Sequence, residues 1–200
     1  MESKGIISSE TLDTLGQYGS ILSGHPTIEV PGIEVNTGAL GHGLSIGVGM
    51  ALAAKMNHQS YKTYVLMGDG EQGEGSIYEA AMAANQYKLD NLVAIIDRNR
   101  LQISGTTEEV MAIEDIYQRW TALGWDVIHM NGDDIEDIVN CFSEIDFESK
   151  RPHLLISHTT KGKGVSYMEN VTKWHHGVPN QEEFDLAIKE ISERIATLEK

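Results

Sequence analysis

Two short segments rich in glycine and polar residues decide the fold. Residues 67–75 have the sequence MGDGEQGEG, and residues 97–101 have the sequence DRNRL. The first segment completes an apolar run over residues 64–67, which predicts the end of a buried strand. Residues 76–87 are rich in alanine and predict a helix, while the apolar run at residues 92–96 predicts a second strand. Together these patterns predict a strand–helix–strand unit.

The ends of these two strands carry the candidate chemical groups. Parallel strands joined by a helix would place Asp69 and Asn99 at neighbouring carboxyl ends of one sheet, where open α/β sheets bind ligands. Carboxylate and amide oxygens suit a hard cation, and glycines let a phosphorylated ligand approach the backbone. Taken alone, Asp69 could also be the cap of the following helix. The pair predicts a cation site that holds a phosphorylated ligand.

Composition narrows the class of protein. The formal net charge of −15 argues against nucleic acid and an anionic membrane surface as partners. The only cysteine, Cys141, excludes an internal disulfide and fits a reducing cytoplasm. No apolar run approaches the length of a membrane span, and the N-terminus lacks the apolar core of a signal peptide. We predict a soluble, cytoplasmic chain that forms a single domain over residues 1–200.

The remainder of the chain continues the alternation of strands and helices. Further strands are predicted at residues 125–130 and 152–157, and further helices at residues 113–123, 135–142 and from 181 onward. Residues 8–15 predict a short helix, residues 38–57 a longer one, and residues 103–106 a loop. Glycines at 43, 47 and 49 favour close approach of the longer helix to another backbone or to a ligand. The fold class is therefore α/β, a mainly parallel sheet with helices on both faces.

These residues together resemble the transketolase family of thiamin-diphosphate enzymes, in the domain that binds the cofactor's diphosphate. The most specific element is Gly68-Asp69-Gly70 followed thirty positions later by Asn99. Further elements follow in family order: Gly24-His25-Pro26, Gly38-Ala39-Leu40-Gly41, Glu74-Gly75 with Glu79-Ala80, and His176-Gly177. The resemblance extends from about Leu12 to the last helix and implies the thiamin-diphosphate-binding fold.

The resemblance implies a metal ion between the protein and thiamin diphosphate. The ion would be Mg²⁺, with Ca²⁺ or Mn²⁺ as alternatives. Asp69 would supply a carboxylate oxygen, Asn99 its amide oxygen and Leu101 its main-chain carbonyl. Two diphosphate oxygens and a water would complete about six ligands.

Other positions match residues around the cofactor in this family. Gly68 and Gly70 belong to the diphosphate-binding motif, Gly38 and Leu40 match the segment that meets the aminopyrimidine ring, and Ile103 matches the apolar residue on the thiazolium ring. Glu74 and Glu79 match acidic residues at the interface that links paired active sites. We also count Glu74 among the cofactor contacts. As an alternative, Glu74 could simply be an acid favoured by the first turn of a helix.

Two histidines match catalytic positions of the family. His25 matches a histidine that contacts the reacting part of the sugar, and His176 matches one near the diphosphate and the donor's hydroxyls. Imidazole suits these roles because it can give or take a proton near neutral pH. The adjacent His175 makes the second match ambiguous. Lys161 and Lys163 lie in a glycine-containing loop, where they could contact phosphate or simply be solvated.

The function implied is that of the N-terminal subunit of a split transketolase. Such an enzyme moves a two-carbon ketol unit from a ketose phosphate to an aldose phosphate, as in the pentose phosphate pathway. The family's site also needs a pyrimidine-binding domain, so the resemblance implies a C-terminal subunit as partner, with two such pairs forming a dimer. The alternatives are a subunit resembling 1-deoxyxylulose-5-phosphate synthase, or a shortened non-catalytic module that binds cofactor or partner.

The family pattern also implies an N-terminally shortened domain. About seventy further residues usually precede the region matching Leu12, including a His-Pro-Gly-Gly segment and a second histidine in a Gly-His pair. We therefore expect one flank of the sheet to be exposed or covered by a partner. We also expect no ketol transfer by this chain alone.

Overall fold

A computed structural model describes residues 1–198 and divides the chain into two compact units, Met1–Leu40 and Gly41 onward. The first unit consists mainly of turns around a 3₁₀-helix, Glu2–Lys4, and a short helix α1, Ser9–Leu12. The Ser8 hydroxyl accepts a hydrogen bond from the backbone N–H of Thr11 and so caps α1, as the sequence predicts. The helix ends at Leu12, earlier than predicted. The assignment of all 200 residues to a single domain stays a prediction.

The second unit contains the sheet and the longer helices. Its strands are β1 (Thr63–Gly68), β2 (Leu92–Arg98), β3 (Leu101–Gln102), β4 (Gly105–Thr106), β5 (Asp126–Asn131) and β6 (His153–His158). Its helices are α2 (His42–Met56), α3 (Gly75–Gln86), α4 (Thr107–Val110), α5 (Ile116–Ala122), α6 (Ile135–Ser143) and α7 (Gln181–Leu198). Strands β1, β2, β6 and β5 pair in that order, and all pairs are parallel. The predicted α/β fold is confirmed.

Helices cover both faces of the sheet, as predicted. On one face, α2, α3 and α5 pack against alternate residues of the strands, such as Val65, Ala94 and Ile156. On the other face, α6 packs against the intervening residues, including Val93 and Leu155. Period-two alternation along each strand therefore divides the apolar residues between two hydrophobic clusters.

The first face is closely packed because small and large residues meet there. A Cβ atom added at Gly47 of α2 would overlap the Val65 side chain, so only glycine permits this approach of helix and strand. Trp120 and Trp125 pack edge to face with ring centroids 4.8 Å apart, and the Trp125 indole donates a hydrogen bond to the Ala81 carbonyl. The predicted close approach is confirmed at Gly47 but not at Gly43, where a Cβ atom would make an ordinary contact, nor at Gly49, where it would meet nothing within 4 Å.

The second face is incompletely covered along β1. Tyr64 is 52% exposed and Leu66 is 72% exposed, whereas Val65 and Met67 point into the opposite cluster. On α6, Ile135 and Val139 are likewise exposed. These side chains leave the second face partly exposed at β1. No helix among residues 1–198 is long and apolar enough to cross a bilayer.

Three further predicted boundaries need correction. Helix α2 begins at His42 and not at Gly38, because Gly41 adopts a left-handed backbone with φ of 79° and acts as its N-cap. Residues 103–106 are not wholly a loop, since β3 and β4 form a small antiparallel hairpin with Ile103 and Ser104 at its tip. Helix α5 begins at Ile116, where the Asp115 side chain caps it, and not at Ile113.

Candidate metal and diphosphate site

Asp69 lies immediately after β1 and is only 2% exposed. Its Oδ1 accepts a hydrogen bond from the backbone N–H of Gly70 at 2.8 Å, which caps the 3₁₀-helix Gly70–Gly73. Its Oδ2 accepts two bonds, from the backbone N–H of Arg100 at 2.5 Å and from Arg98 Nη1 at 3.0 Å. The capping interpretation is therefore correct, but it accounts for only one of the three hydrogen bonds that Asp69 receives.

The three predicted metal ligands lie at one edge of the sheet. Gly68 pairs in register with Asp97, so β1 and β2 end side by side. The bond from the Arg100 backbone holds the Asp69 carboxylate against the segment that contains Asn99 and Leu101. The Asn99 side-chain oxygen accepts a hydrogen bond from the Leu101 backbone N–H at 3.0 Å, which turns the chain into the β3–β4 hairpin.

The chemistry of this donor set suits Mg²⁺. One carboxylate, one amide oxygen and one main-chain carbonyl are hard oxygen ligands, and a phosphorylated ligand and water supply the remainder of an octahedral sphere. Throughout the described chain, no three His, Cys, Asp or Glu side chains converge as a metal-binding group. The predicted set contains a single acidic side chain, so it would need oxygen atoms of a ligand to complete it. Metal binding by Asp69, Asn99 and Leu101 stays a prediction.

Arg98, the buried base beside Asp69, is absent from the residues predicted from the sequence. It is 2% exposed and lies 2.6 Å from Glu114, 3.3 Å from Glu108 and 2.8 Å from the Thr107 hydroxyl. Burial lowers the pKa of Arg98, but its hydrogen bonds to Glu114 and Asp69 outweigh burial and raise that pKa. The same contact with Arg98 holds the pKa of Glu114 below its usual range.

A sequence signal for Arg98 does exist. Leu92, Ala94 and Ile96 alternate along β2 and point into the first hydrophobic cluster. The same period of two places Arg98 on that buried face, at the end of the strand. A buried arginine requires acidic partners, so its position in the alternation predicts an ion-pair cluster.

Glu71 is a second residue that sequence reasoning does not find. One of its carboxylate oxygens accepts from the Gly41 backbone N–H at 2.7 Å, and the other accepts from the Gly68 backbone N–H at 3.1 Å. The Ser76 hydroxyl donates to the Gly41 carbonyl at 2.9 Å. These bonds connect the start of α2 to the end of β1 and to α3. No local pattern predicts the contact with Gly41, because that partner lies thirty positions away.

The diphosphate motif and the hairpin contact each other. A Cβ atom added at Gly70 would lie 3.0 Å from the Gln102 side chain, so the glycine gives β3 room to pack against the loop after β1. Ile103 follows at the hairpin tip and is 62% exposed. Glu74 is exposed at the N-cap position of α3, and Glu79 is exposed on the same helix.

The candidate histidine His176 lies in the same unit as Asp69. It is exposed at the end of the 3₁₀-helix Thr172–His175, which packs beside β3. The rings of His175 and His176 meet edge to face, with centroids 6.1 Å apart. Partial burial, followed by Lys161 and His176, lowers the pKa of His175. The ambiguity between these two histidines is therefore not removed by burial, since both are exposed.

The remaining predicted residues lie in the first unit. Gly38 has φ of +119°, and a Cβ atom there would lie 2.7 Å from the His25 ring. Only glycine combines this backbone conformation with such a close neighbour, so His25 and Gly38 form one local arrangement. His25 is exposed, and Leu40 is 60% exposed.

Comparison with protein families finds one matching model. The model described as transketolase, thiamine diphosphate binding domain, matches residues 6–193. Among curated proteins, the chain is 76% identical over 200 residues to an apulose-4-phosphate transketolase subunit of Phocaeicola vulgatus, covering 100% of this chain and 71% of that protein. It is 45% identical over 190 residues to the subunit of the same name from Actinobacillus succinogenes, covering 94% and 68%.

Comparison with solved structures also finds transketolases. The transketolase of Campylobacter jejuni superposes with a TM-score of 0.85 at 35% identity, covering 92% of this chain and 30% of that chain. The transketolase of Leishmania mexicana superposes with a TM-score of 0.77 at 28% identity, covering 95% and 33%. The chain thus spans about a third of the length of these solved transketolases.

Proposed function

Because the chain belongs to the transketolase family and matches its thiamine diphosphate binding domain, we propose that it is the cofactor-binding subunit of a two-chain transketolase. Relatives named as transketolase subunits, which align with 94–100% of the chain, support the prediction of a split transketolase. The reaction proposed is transfer of a two-carbon ketol unit between sugar phosphates. The place of this reaction in the pentose phosphate pathway, and a cytoplasmic location, stay predictions.

The observation that supports this function best is the arrangement at the ends of β1 and β2. Asp69, buried and held by three hydrogen bonds, faces the segment Asn99–Leu101. In this proposal these residues bind Mg²⁺, which in turn holds the diphosphate of thiamin diphosphate. The metal offsets the ligand's negative charge, which a chain of net charge −15 would otherwise repel.

The chain's own residues would mainly bind and orient the cofactor and the sugar. When bound, thiamin diphosphate supplies the nucleophilic carbon and the electron sink for ketol transfer. Gly68 has open space beside its backbone, Gly70 would lie next to the diphosphate, and Ile103 presents an apolar side chain for the thiazolium ring. His25 and His176 would hold or move protons at the sugar's hydroxyl and carbonyl oxygens.

The partner proposed is a C-terminal subunit with a pyrimidine-binding domain. Leu40 and Ile103, which are proposed to contact the rings, are 60% and 62% exposed. Apolar side chains with that exposure gain a closed, water-free site only when another surface covers them. A dimer of such pairs, with Glu74 and Glu79 at the interface, completes the proposal.

The substrate to test first is apulose 4-phosphate, which is part of the names of two close relatives. Transfer from this or another ketose phosphate to an aldose phosphate distinguishes a transketolase from a synthase resembling 1-deoxyxylulose-5-phosphate synthase, which would release carbon dioxide from pyruvate. Binding of cofactor without turnover by the complete pair would identify a non-catalytic module.

Reconstitution tests this function directly. The purified chain, the partner subunit, thiamin diphosphate and Mg²⁺ are combined with ketose and aldose phosphates, and products are followed by mass spectrometry. We expect ketol transfer by the pair and none by either chain alone. Turnover by this chain alone would contradict the need for a partner, and a pair that binds cofactor but does not turn over would contradict the proposed enzyme.

A further inference from the structure

Arg98 contacts the proposed metal ligand and is enclosed by acidic and polar side chains. Its Nη1 donates to Asp69 Oδ2 at 3.0 Å and to the Thr107 hydroxyl at 2.8 Å. Its Nη2 donates to Glu114 at 2.6 Å and to Glu108 at 3.3 Å. The guanidinium is thus held from both sides, by the loop after β1 and by residues 107–114. Such a planar group with several fixed partners has little freedom to rotate.

The hydrogen bonds to Asp69 leave one direction for a metal ion. Oδ2 accepts from Arg98 and from the Arg100 backbone, which occupies both of its in-plane lone pairs. Oδ1 accepts only from the Gly70 backbone among residues 1–198. A cation can therefore be bound through the remaining lone pair of Oδ1, as a monodentate contact.

The charges around Arg98 make this arrangement compatible with a divalent cation. A guanidinium beside a metal ligand repels the metal, and this repulsion alone would weaken binding. Glu108 and Glu114 place two further carboxylates on the far side of Arg98. With Asp69, three carboxylates surround one guanidinium, so the cluster remains net negative. The acidic pair thus offsets the repulsion while keeping the guanidinium in place.

We infer that Arg98 is a positioning residue for the metal: it holds Asp69 so that Oδ1 alone is presented to the ion. This inference rests on the proposed function, because it requires Asp69 to bind the metal. Residues that hydrogen-bond to metal ligands commonly change metal affinity by about 10–100-fold when they are replaced. The inference therefore concerns affinity for the ion and not the chemistry of ketol transfer.

The test compares Mg²⁺ affinity in the presence of saturating thiamin diphosphate, measured by calorimetry on the full chain. We expect Arg98→Met to weaken Mg²⁺ binding about 10–100-fold. Arg98→Lys keeps the charge but has no planar fork, so we expect an intermediate loss. Arg151→Met removes an exposed arginine paired with Asp126 and serves as the matched control, with unchanged affinity expected. Unchanged or tighter binding in Arg98→Met would overturn the inference.

A mutant cycle separates positioning from a general effect on folding. If Thr107 acts only by orienting Arg98, Thr107→Val should cause no further loss of Mg²⁺ affinity in the Arg98→Met background, which keeps measurable binding. An independent, additive loss would overturn the inference. Should Arg98→Met not fold, Thr107→Val provides the second variant, since it removes one acceptor that orients Nη1. We expect a several-fold loss of affinity in Thr107→Val, and wild-type affinity in both Thr107→Val and Arg98→Lys would overturn the inference.

The outcomes also distinguish this inference from the proposed function. If the wild-type chain shows no Mg²⁺-dependent binding of thiamin diphosphate, or if Asp69→Asn binds like the wild type, the proposed site is wrong and the inference is wrong with it. If the wild type binds, Asp69→Asn does not, and Arg98→Met binds like the wild type, only the inference is wrong.

Discussion

The residues proposed for the metal end of the cofactor and those proposed for its ring end differ in how the chain holds them. Asp69 is 2% exposed and receives three hydrogen bonds, and its neighbour Arg98 is equally buried. Leu40 and Ile103 are 60% and 62% exposed, and His25 and His176 are also exposed. The chain therefore holds Asp69 and Arg98 in the interior of one unit, whereas each residue proposed for the ring end is exposed within its own unit.

This difference predicts two classes of mutational effect. Replacing a residue of the metal end should reduce both stability and cofactor binding, because its side chain is part of the folded interior. Replacing a residue of the ring end should leave stability unchanged and affect only binding or turnover. Equal losses of stability after substitutions in the two groups would contradict this difference.

Asp69→Ala should have the largest effect. It removes the acceptor of three hydrogen bonds, so we expect the free energy of unfolding to fall by about 2–3 kcal/mol. Metal-dependent binding of thiamin diphosphate should also be lost. Urea unfolding and calorimetry measure the two effects. Asp185→Ala, on the exposed surface of α7, is the control and should change neither quantity. An Asp69→Ala chain as stable as the wild type would show that the hydrogen bonds to Asp69 do not contribute to folding.

Glu71→Ala should have the next largest effect. It leaves the backbone N–H groups of Gly41 and Gly68 without their acceptor, so we expect the free energy of unfolding to fall by about 1–2 kcal/mol. Glu71→Gln keeps one acceptor oxygen and should cost less. Glu79→Ala, an exposed acid of α3, should change the stability by less than about 0.5 kcal/mol. Equal effects at Glu71 and Glu79 in urea unfolding would contradict the proposed connection between α2 and β1.

Prediction from sequence works where spacing and strand ends coincide. Asp69 and Asn99 can be located because each follows an apolar run, and parallel strands bring such ends together. Prediction fails where contacts between distant parts of the chain determine the structure. The start of α2 depends on the left-handed Gly41, and the strands β3 and β4 are too short for any periodicity to appear. The role of Glu71 escapes prediction because its partner Gly41 is distant in sequence and adjacent only in space.

Arg98 shows a different reason for failure. Its alternation with Leu92, Ala94 and Ile96 places it on the buried face of β2, and this signal is present in the sequence. A charged residue at a strand end is ordinarily taken to face solvent, because burial without partners is costly. The partners Glu108 and Glu114 become visible only once the chain is folded.

Ile103→Ala should have a smaller effect, confined to binding. Because the side chain is 62% exposed, we expect the stability to change by less than about 0.5 kcal/mol. Loss of its apolar contact with the thiazolium ring should weaken thiamin diphosphate binding about fivefold, which corresponds to about 1 kcal/mol. The affinity should be measured with the partner subunit present. A clear loss of stability would show that Ile103 belongs to the folded interior and not to the ring end.

His153→Leu should have the smallest effect on stability at neutral pH. Its effect should become measurable only at acidic pH. Burial lowers the pKa of His153, and no hydrogen bond to its Nε2 occurs within residues 1–198. The unfolded chain therefore takes up a proton more readily, so His153 reduces stability as pH falls below about 6.5. We expect the loss of stability between about pH 7 and pH 5, measured by urea unfolding, to be smaller in His153→Leu. An equal loss would assign the pH dependence to other groups.

The central claim is that this chain alone binds thiamin diphosphate through a metal ion on Asp69. It is tested most directly by calorimetric titration of thiamin diphosphate into the chain, with excess Mg²⁺ and, separately, with a chelator. We predict binding with Mg²⁺, none with the chelator, and none with Mg²⁺ in Asp69→Asn, whose side chain retains the shape but not the charge. Equal binding with and without metal, or wild-type affinity in Asp69→Asn, would contradict the account.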